Sequence, residues 1–116
     1  MRYLTLLRAT REVTTPPPPE LMEAIMRLGQ EASSAGALLD FGGLAPSAAG
    51  ARVTLAGGDL AVTDGPFAES KEVISYALYD VGSREEAVEW SSRFLKAHRD
   101  LWPAWEGEVD VLQVFA

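Results

Sequence analysis

Glu72-Val73-Ile74-Ser75-Tyr76-Ala77-Leu78-Tyr79-Asp80-Val81 is the stretch from which the fold can be worked out. It holds no glycine or proline and is rich in β-branched and aromatic residues, so it predicts a strand. Alternation sorts Val73, Ser75, Ala77, Tyr79 and Val81 onto one face and Ile74, Tyr76 and Leu78 onto the other. Neither face suits open water, and a strand of this kind needs cover on both sides. The opening run Tyr3-Leu4-Thr5-Leu6-Leu7 has the same character, with Tyr3 and Leu7 on one face and Leu4 and Leu6 on the other.

Downstream of the long strand, Ser83-Arg84-Glu85-Glu86 is a capping box, with a serine at the N-cap and a glutamate three residues on. The helix it starts turns Ala87, Trp90, Phe94 and Ala97 inward and Glu85, Glu89, Arg93 and Lys96 outward. Leu101 to Trp105 is an irregular aromatic segment, and Val109 to Phe115 is a closing strand. Upstream, Arg52 to Leu55 and Leu60 to Thr63 flank Ala56-Gly57-Gly58-Asp59, the signature of a hairpin. Ala37 to Phe41 predicts a strand. Before it lies a helix over Glu20 to Ala35, with Leu21, Ile25, Leu28, Ala32 and Ala35 in one stripe and Gly36 as its left-handed stop. The four prolines Pro16 to Pro19 are a stiff lead-in to that helix.

The order strand, helix, strand, hairpin, long strand, helix, strand predicts an α+β, ferredoxin-like antiparallel sheet with two helices on one face and an inserted β-hairpin. Two helices cover one face only. The other face is expected to meet the same face of a second copy, which makes the protein a homodimer.

Composition narrows the partners. At 116 residues, 47% hydrophobic and 23% charged, the chain is expected to form a single domain over residues 1–116. A net charge of −7 and the lack of any basic run argue against nucleic acid and against an anionic membrane. The sequence contains no cysteine and a single histidine, so disulfides, thiolate sites and histidine-rich metal sites are excluded, and neither cofactor nor metal is expected. No apolar run approaches the length of a bilayer span, and the cytoplasm is the expected location.

Thr63-Asp64-Gly65-Pro66-Phe67-Ala68-Glu69-Ser70-Lys71 joins the hairpin to the long strand and looks chosen for more than packing. Pro66 fixes its own φ and presses Gly65 toward extended geometry, and Asp64 is placed to accept from the amides that follow. The stretch resembles the signature of the DGPF family within the YCII-related proteins, in which Asp-Gly-Pro-Phe is followed by Ala-Glu and a Lys-Glu pair, here Ala68-Glu69 and Lys71-Glu72. The resemblance extends through Leu38-Leu39, Gly43-Leu44, Pro46-Ser47, Glu89-Trp90 and the closing strand. It implies a dimeric α+β barrel with a cleft between sheets and loops. It also implies a regulatory setting, since members are often associated with extracytoplasmic-function sigma factors. Two positions depart from the family pattern, Gly42 where relatives often carry glutamate and Leu112 where they often carry arginine.

Asp64 is the candidate catalytic residue. In a partly closed cleft, desolvation would raise its pKa and Lys71 would lower it, the tuning that makes a carboxylate a base; the alternative is an aspartate that ties a turn. A ligand is expected to meet Arg8, Asp64, Gly65, Pro66, Phe67, Lys71 and Tyr76. Glu69 with Lys71 is either a solvated ion pair or a clamp, and Arg52 faces the same choice between an exposed cation and an anion contact. Tyr76, Tyr79, Trp102 and Trp105 belong to the core, to a dimer contact or to a pocket wall. His98, at the end of the second helix, is expected to be structural and to carry a positive imidazole favoured by the helix dipole. The expected function is a homodimeric protein binding an unidentified small molecule near the Asp-Gly-Pro-Phe loop. The alternatives are a small lyase or hydrolase with Asp64 as general base, and a structural dimerisation module.

Overall fold

The computed structural model describes residues 1–67 and 71–115. Strand β1 (Arg2–Ala9) leads to helix α1 (Pro19–Ser34) and strand β2 (Leu38–Gly43), and a short 3-10 turn (Ser47–Ala49) precedes the hairpin β3 (Ala51–Ala56) and β4 (Asp59–Asp64). Strand β5 (Val73–Asp80), helix α2 (Arg84–Leu101) and strand β6 (Gly107–Gln113) complete it. The main sheet has the order β2-β5-β1-β6 with every pairing antiparallel, the ferredoxin-like arrangement in which two β-α-β units interleave. β3 and β4 pair only with each other.

Local chemistry sets the element ends. Pro18 stands extended at the N-cap of α1 and Pro19 takes the first helical position, where a missing N–H costs nothing. Gly36, at φ 74°, ends the helix, with its N–H donating to Ser33 O. The capping box of α2 is formed: Glu86 N–H donates to Ser83 Oγ at 3.2 Å, while the Glu86 carboxylate reaches back to the Gly82 N–H at 3.0 Å. Gly57 and Gly58 both have positive φ, the geometry of the tight hairpin turn.

The covered side of the sheet carries Tyr3, Thr5 and Leu7 from β1 against Tyr79, Ala77 and Ser75 from β5. Tyr3, Ala32, Ala37, Tyr79, Val81 and Ala87 form the buried cluster under the two helices. Burial accounts for the raised pKa of the Tyr79 phenol. The inward stripe of α2 differs from the expected one. Ala87 is buried, but Trp90, Phe94 and Ala97 are half-buried, and Ser91 and His98 are buried in their place. Polar residues are tolerated there because each bonds to its own helix: Ser91 Oγ donates to Ala87 O at 2.9 Å, and His98 Nδ1 donates to Phe94 O at 2.9 Å.

His98 also departs from the charged state expected for a helix end. It is packed between Phe94 and Trp105, with ring centroids 4.8 and 4.5 Å away. Desolvation lowers its pKa, the backbone bond opposes this only in part, and the neutral form of the ring is favoured.

The molecule measures 46 × 39 × 18 Å. Its thickness is one sheet and one layer of helix. The radius of gyration is 16.0 Å, where a compact domain of this length has about 13 Å. On the side away from the helices lie Leu4 and Leu6, both half-buried, with Ile74, Tyr76 and Leu78 of β5 and Leu112 of β6, which is 49% exposed.

Candidate functional site

The Asp-Gly-Pro-Phe loop is held by a clasp between two residues 25 apart in sequence. After β2, the Leu44 N–H donates to Ile74 O at 2.7 Å, which brings Ser47 beside the start of β5. There the Ser47 hydroxyl donates to Glu72 Oε1 at 2.6 Å, and the Ser47 N–H reaches both carboxylate oxygens at 3.2 Å. The same hydroxyl accepts from the Phe67 N–H at 3.1 Å. The amide after the proline therefore goes to Ser47, and the turn is closed by the serine where the sequence pointed to Asp64. Serine suits this position because its one oxygen donates and accepts at once.

Gly65 is fixed by contact. Its N–H donates to Gly50 O at 3.0 Å, and a Cβ on it would lie 1.7 Å from Ser47 O, so no other residue fits this loop as built. Pro66 follows through a cis peptide bond. Phe67 is half-buried with the Arg52 guanidinium 4.0 Å above its ring centroid, a cation–π contact. Asp64 is the last residue of β4, paired with Ala51 and exposed. Lys71 is exposed just before β5, and Ala68 and Glu69 lie outside the described residues.

Arg8 and Tyr76 stand on the uncovered face of the main sheet. Arg8 forms an ion pair with Asp110 across β1 and β6. The Tyr76 hydroxyl donates to Asp40 Oδ2 at 3.2 Å, and that hydrogen bond, together with the carboxylate charge, pushes the phenol pKa up. The Tyr76 ring lies against Gly42, where a Cβ would meet Tyr76 Cε1 at 2.9 Å. Tyrosine here occupies the space that a side chain at position 42 would need. The expected departure at Gly42 thus has a steric counterpart in Tyr76.

The β-register relates the two groups. Arg8 pairs with Val73 and Gly43 with Ser75, so Arg8, the end of β2 and the Ser47–Glu72 clasp all gather at the end of the sheet where β5 begins. Sequence reading did not single out Ser47, Glu72, Asp40 or Asp110 as site residues. Glu72 was legible only as the end of a motif, and its pairing with Ser47 across 25 residues has no local signature. Among the described residues no three His, Asp or Glu side chains come together as a metal-binding group. Among the described residues no helix is long and apolar enough to cross a membrane. No curated protein matches the chain. The YCII-related domain matches residues 1–102, which takes in the clasp, the Asp64 loop and both helices, and the chain belongs to that family.

Proposed function

We propose that the protein is a homodimer that binds a small molecule in a cleft bounded by the uncovered sheet face, the Asp64 loop and the partner subunit. The observation that carries this reading is the uncovered face itself. Leu4, Leu6, Leu78 and Ile74 make it apolar, and two polar pairs, Arg8 with Asp110 and Tyr76 with Asp40, are set into it. An apolar wall with a few oriented polar groups is what small-molecule sites require.

Area supports the second copy. The chain exposes 7828 Å², whereas a compact monomer of 12.5 kDa exposes about 6,200 Å². The excess exceeds the roughly 800 Å² that each partner loses in a standard interface. Two sheets meeting face to face about a two-fold axis would close a barrel that one chain leaves open.

Native mass spectrometry at micromolar concentration, with and without Leu78→Arg, tests the dimer, and ligand-observed NMR with a mixture of small carboxylates and phenols tests the cleft. The wild-type chain should be dimeric and show fragment signals that Arg8→Ala and Asp64→Asn weaken. A monomeric wild-type chain, or fragment signals indifferent to both substitutions, refutes the reading.

A further inference from the structure

On the helix side of the sheet, where β1 ends and β6 begins, an open-sided cavity of about 560 Å³ lies between the last turns of α2 and the aromatic segment that follows it. Two of the residues that line it, His98 and Trp105, are only 5% and 8% exposed. The backbone makes room for the indole: a Cβ on Gly107 would lie 2.0 Å from Trp105 Cη2, so β6 begins with a residue that has no side chain. The Trp105 ring centroid is 4.5 Å from that of His98 and 6.3 Å from that of Trp102. Each of the two buried rings keeps one polar atom unused. The Phe94 carbonyl can only accept, so His98 Nδ1 carries the proton and Nε2 presents a lone pair. Trp102 donates its indole N–H to Thr15 Oγ1 at 3.4 Å, whereas neither Trp105 Nε1 nor His98 Nε2 has a partner among the described residues. No buried side-chain nitrogen or oxygen of the described residues is sealed off without a partner, so both atoms reach an opening, and the cavity is the opening that both residues line.

We infer that this cavity is a binding site for a small neutral molecule with a primary amide or lactam edge on a flat ring, accepting from Trp105 Nε1 and donating to His98 Nε2 while its ring lies against Leu95 and Pro103. Hydrogen-bond chemistry selects the ligand. One donor and one acceptor on rings in contact are served together by a group whose own acceptor and donor are neighbours, as the C=O and N–H of an amide are. A carboxylate lacks the donor and an ammonium lacks the acceptor. The charged side chains at the mouth are paired already, Arg99 with Asp100 at 2.9 Å and Glu106 with Arg11 at 3.5 Å, so a charged ligand of either sign finds no counter-ion waiting. Burial keeps the His98 ring in the neutral form that accepts. The volume lies within the range of about 300–1,000 Å³ typical of small-molecule sites. The cleft proposed above uses the other face of the sheet, and the cavity beside His98 needs no second copy.

Benzamide, a flat ring bearing a primary amide, is titrated into the full chain while heteronuclear NMR follows the Trp105 indole N–H and the His98 ring. Both signals should shift together and saturate, with a Kd below about 10 mM. N,N-dimethylbenzamide keeps the carbonyl but has no N–H to donate, and it should bind at least about tenfold more weakly, the loss expected when one hydrogen bond goes and its acceptor stays buried. His98→Phe and Trp105→Phe, each of which keeps a ring in place and removes one of the two polar atoms, should weaken benzamide to the same degree. Arg8→Ala and Asp64→Asn lie outside the cavity and should leave the titration unchanged. The inference is overturned by the absence of a saturable shift at Trp105, by equal affinity for the two amides, by undiminished binding in the folded phenylalanine variants, or by loss of binding in the Arg8 or Asp64 variant. The comparison of the two amides uses the wild-type chain and decides the matter even where a phenylalanine variant does not fold.

Discussion

His98 and Gly65 show how much a single residue can decide here. The buried imidazole is held neutral by desolvation, while the unfolded chain returns it to water and its ordinary pKa near 6.5. Unfolded chains therefore bind more protons than folded ones below that value. Stability should be unaffected by this residue above about pH 6.5 and decline as the pH drops toward the lowered folded value. Urea unfolding of wild type and His98→Leu at pH 7 and pH 5.5 measures this, and the substitution should flatten the slope between the two. Gly65→Ala drives a methyl into the Ser47 carbonyl, and overpacking of that kind costs roughly 1–3 kcal/mol. A lowered Tm together with faster exchange of the Phe67 amide is the expected result, and an unshifted Tm would mean that the loop is not held as described. Neither effect was open to sequence reading. His98 was read as structural but charged at a helix end, because nothing local shows the rings of Phe94 and Trp105 that enclose it, and Gly65 gave its backbone preference but not the neighbour 18 positions earlier that forbids a side chain.

At the scale of the element, the helices and the long strand were legible because their signals are local. Pro19, Gly36 and the pair Ser83 and Glu86 mark helix ends that the structure places within a residue or two. Ser83→Ala removes the acceptor for the Glu86 N–H and should lower stability by about 1 kcal/mol, read as a shift of the urea midpoint at constant m-value. The inward face of α2 was legible only in part. Ser91 and His98 satisfy their polar atoms on their own helix and can then be buried, an outcome that a hydrophobic pattern does not encode. The hairpin was readable from Gly57 and Gly58, yet nothing local told whether it packs on the sheet or stands apart. That depends on where Ser47 and Glu72 anchor it.

For the whole molecule, the uncovered sheet face follows from a count of helices against apolar strand faces, and this much was available from the strands alone. What escaped was the thinness of the result, because extents depend on how the hairpin is directed. If a second copy completes the fold, unfolding is coupled to association, and a tenfold dilution should lower the wild-type Tm while leaving that of Leu78→Arg unchanged. Differential scanning calorimetry at two concentrations decides the matter, and a Tm independent of concentration speaks against a dimer.

The strand order also constrains how the chain is made. β1 precedes the other strands in sequence but lies between β5 and β6, with Tyr3 opposite both Tyr79 and Gln113. Its backbone groups have no sheet neighbour to bond until more than sixty further residues have been synthesised, and the second neighbour follows only after α2. The first of these strands must therefore wait for the last of them, a topology of distant contacts that folds slowly. A nascent chain halted before β6 would leave one flank of β1 open to pairing with a foreign strand.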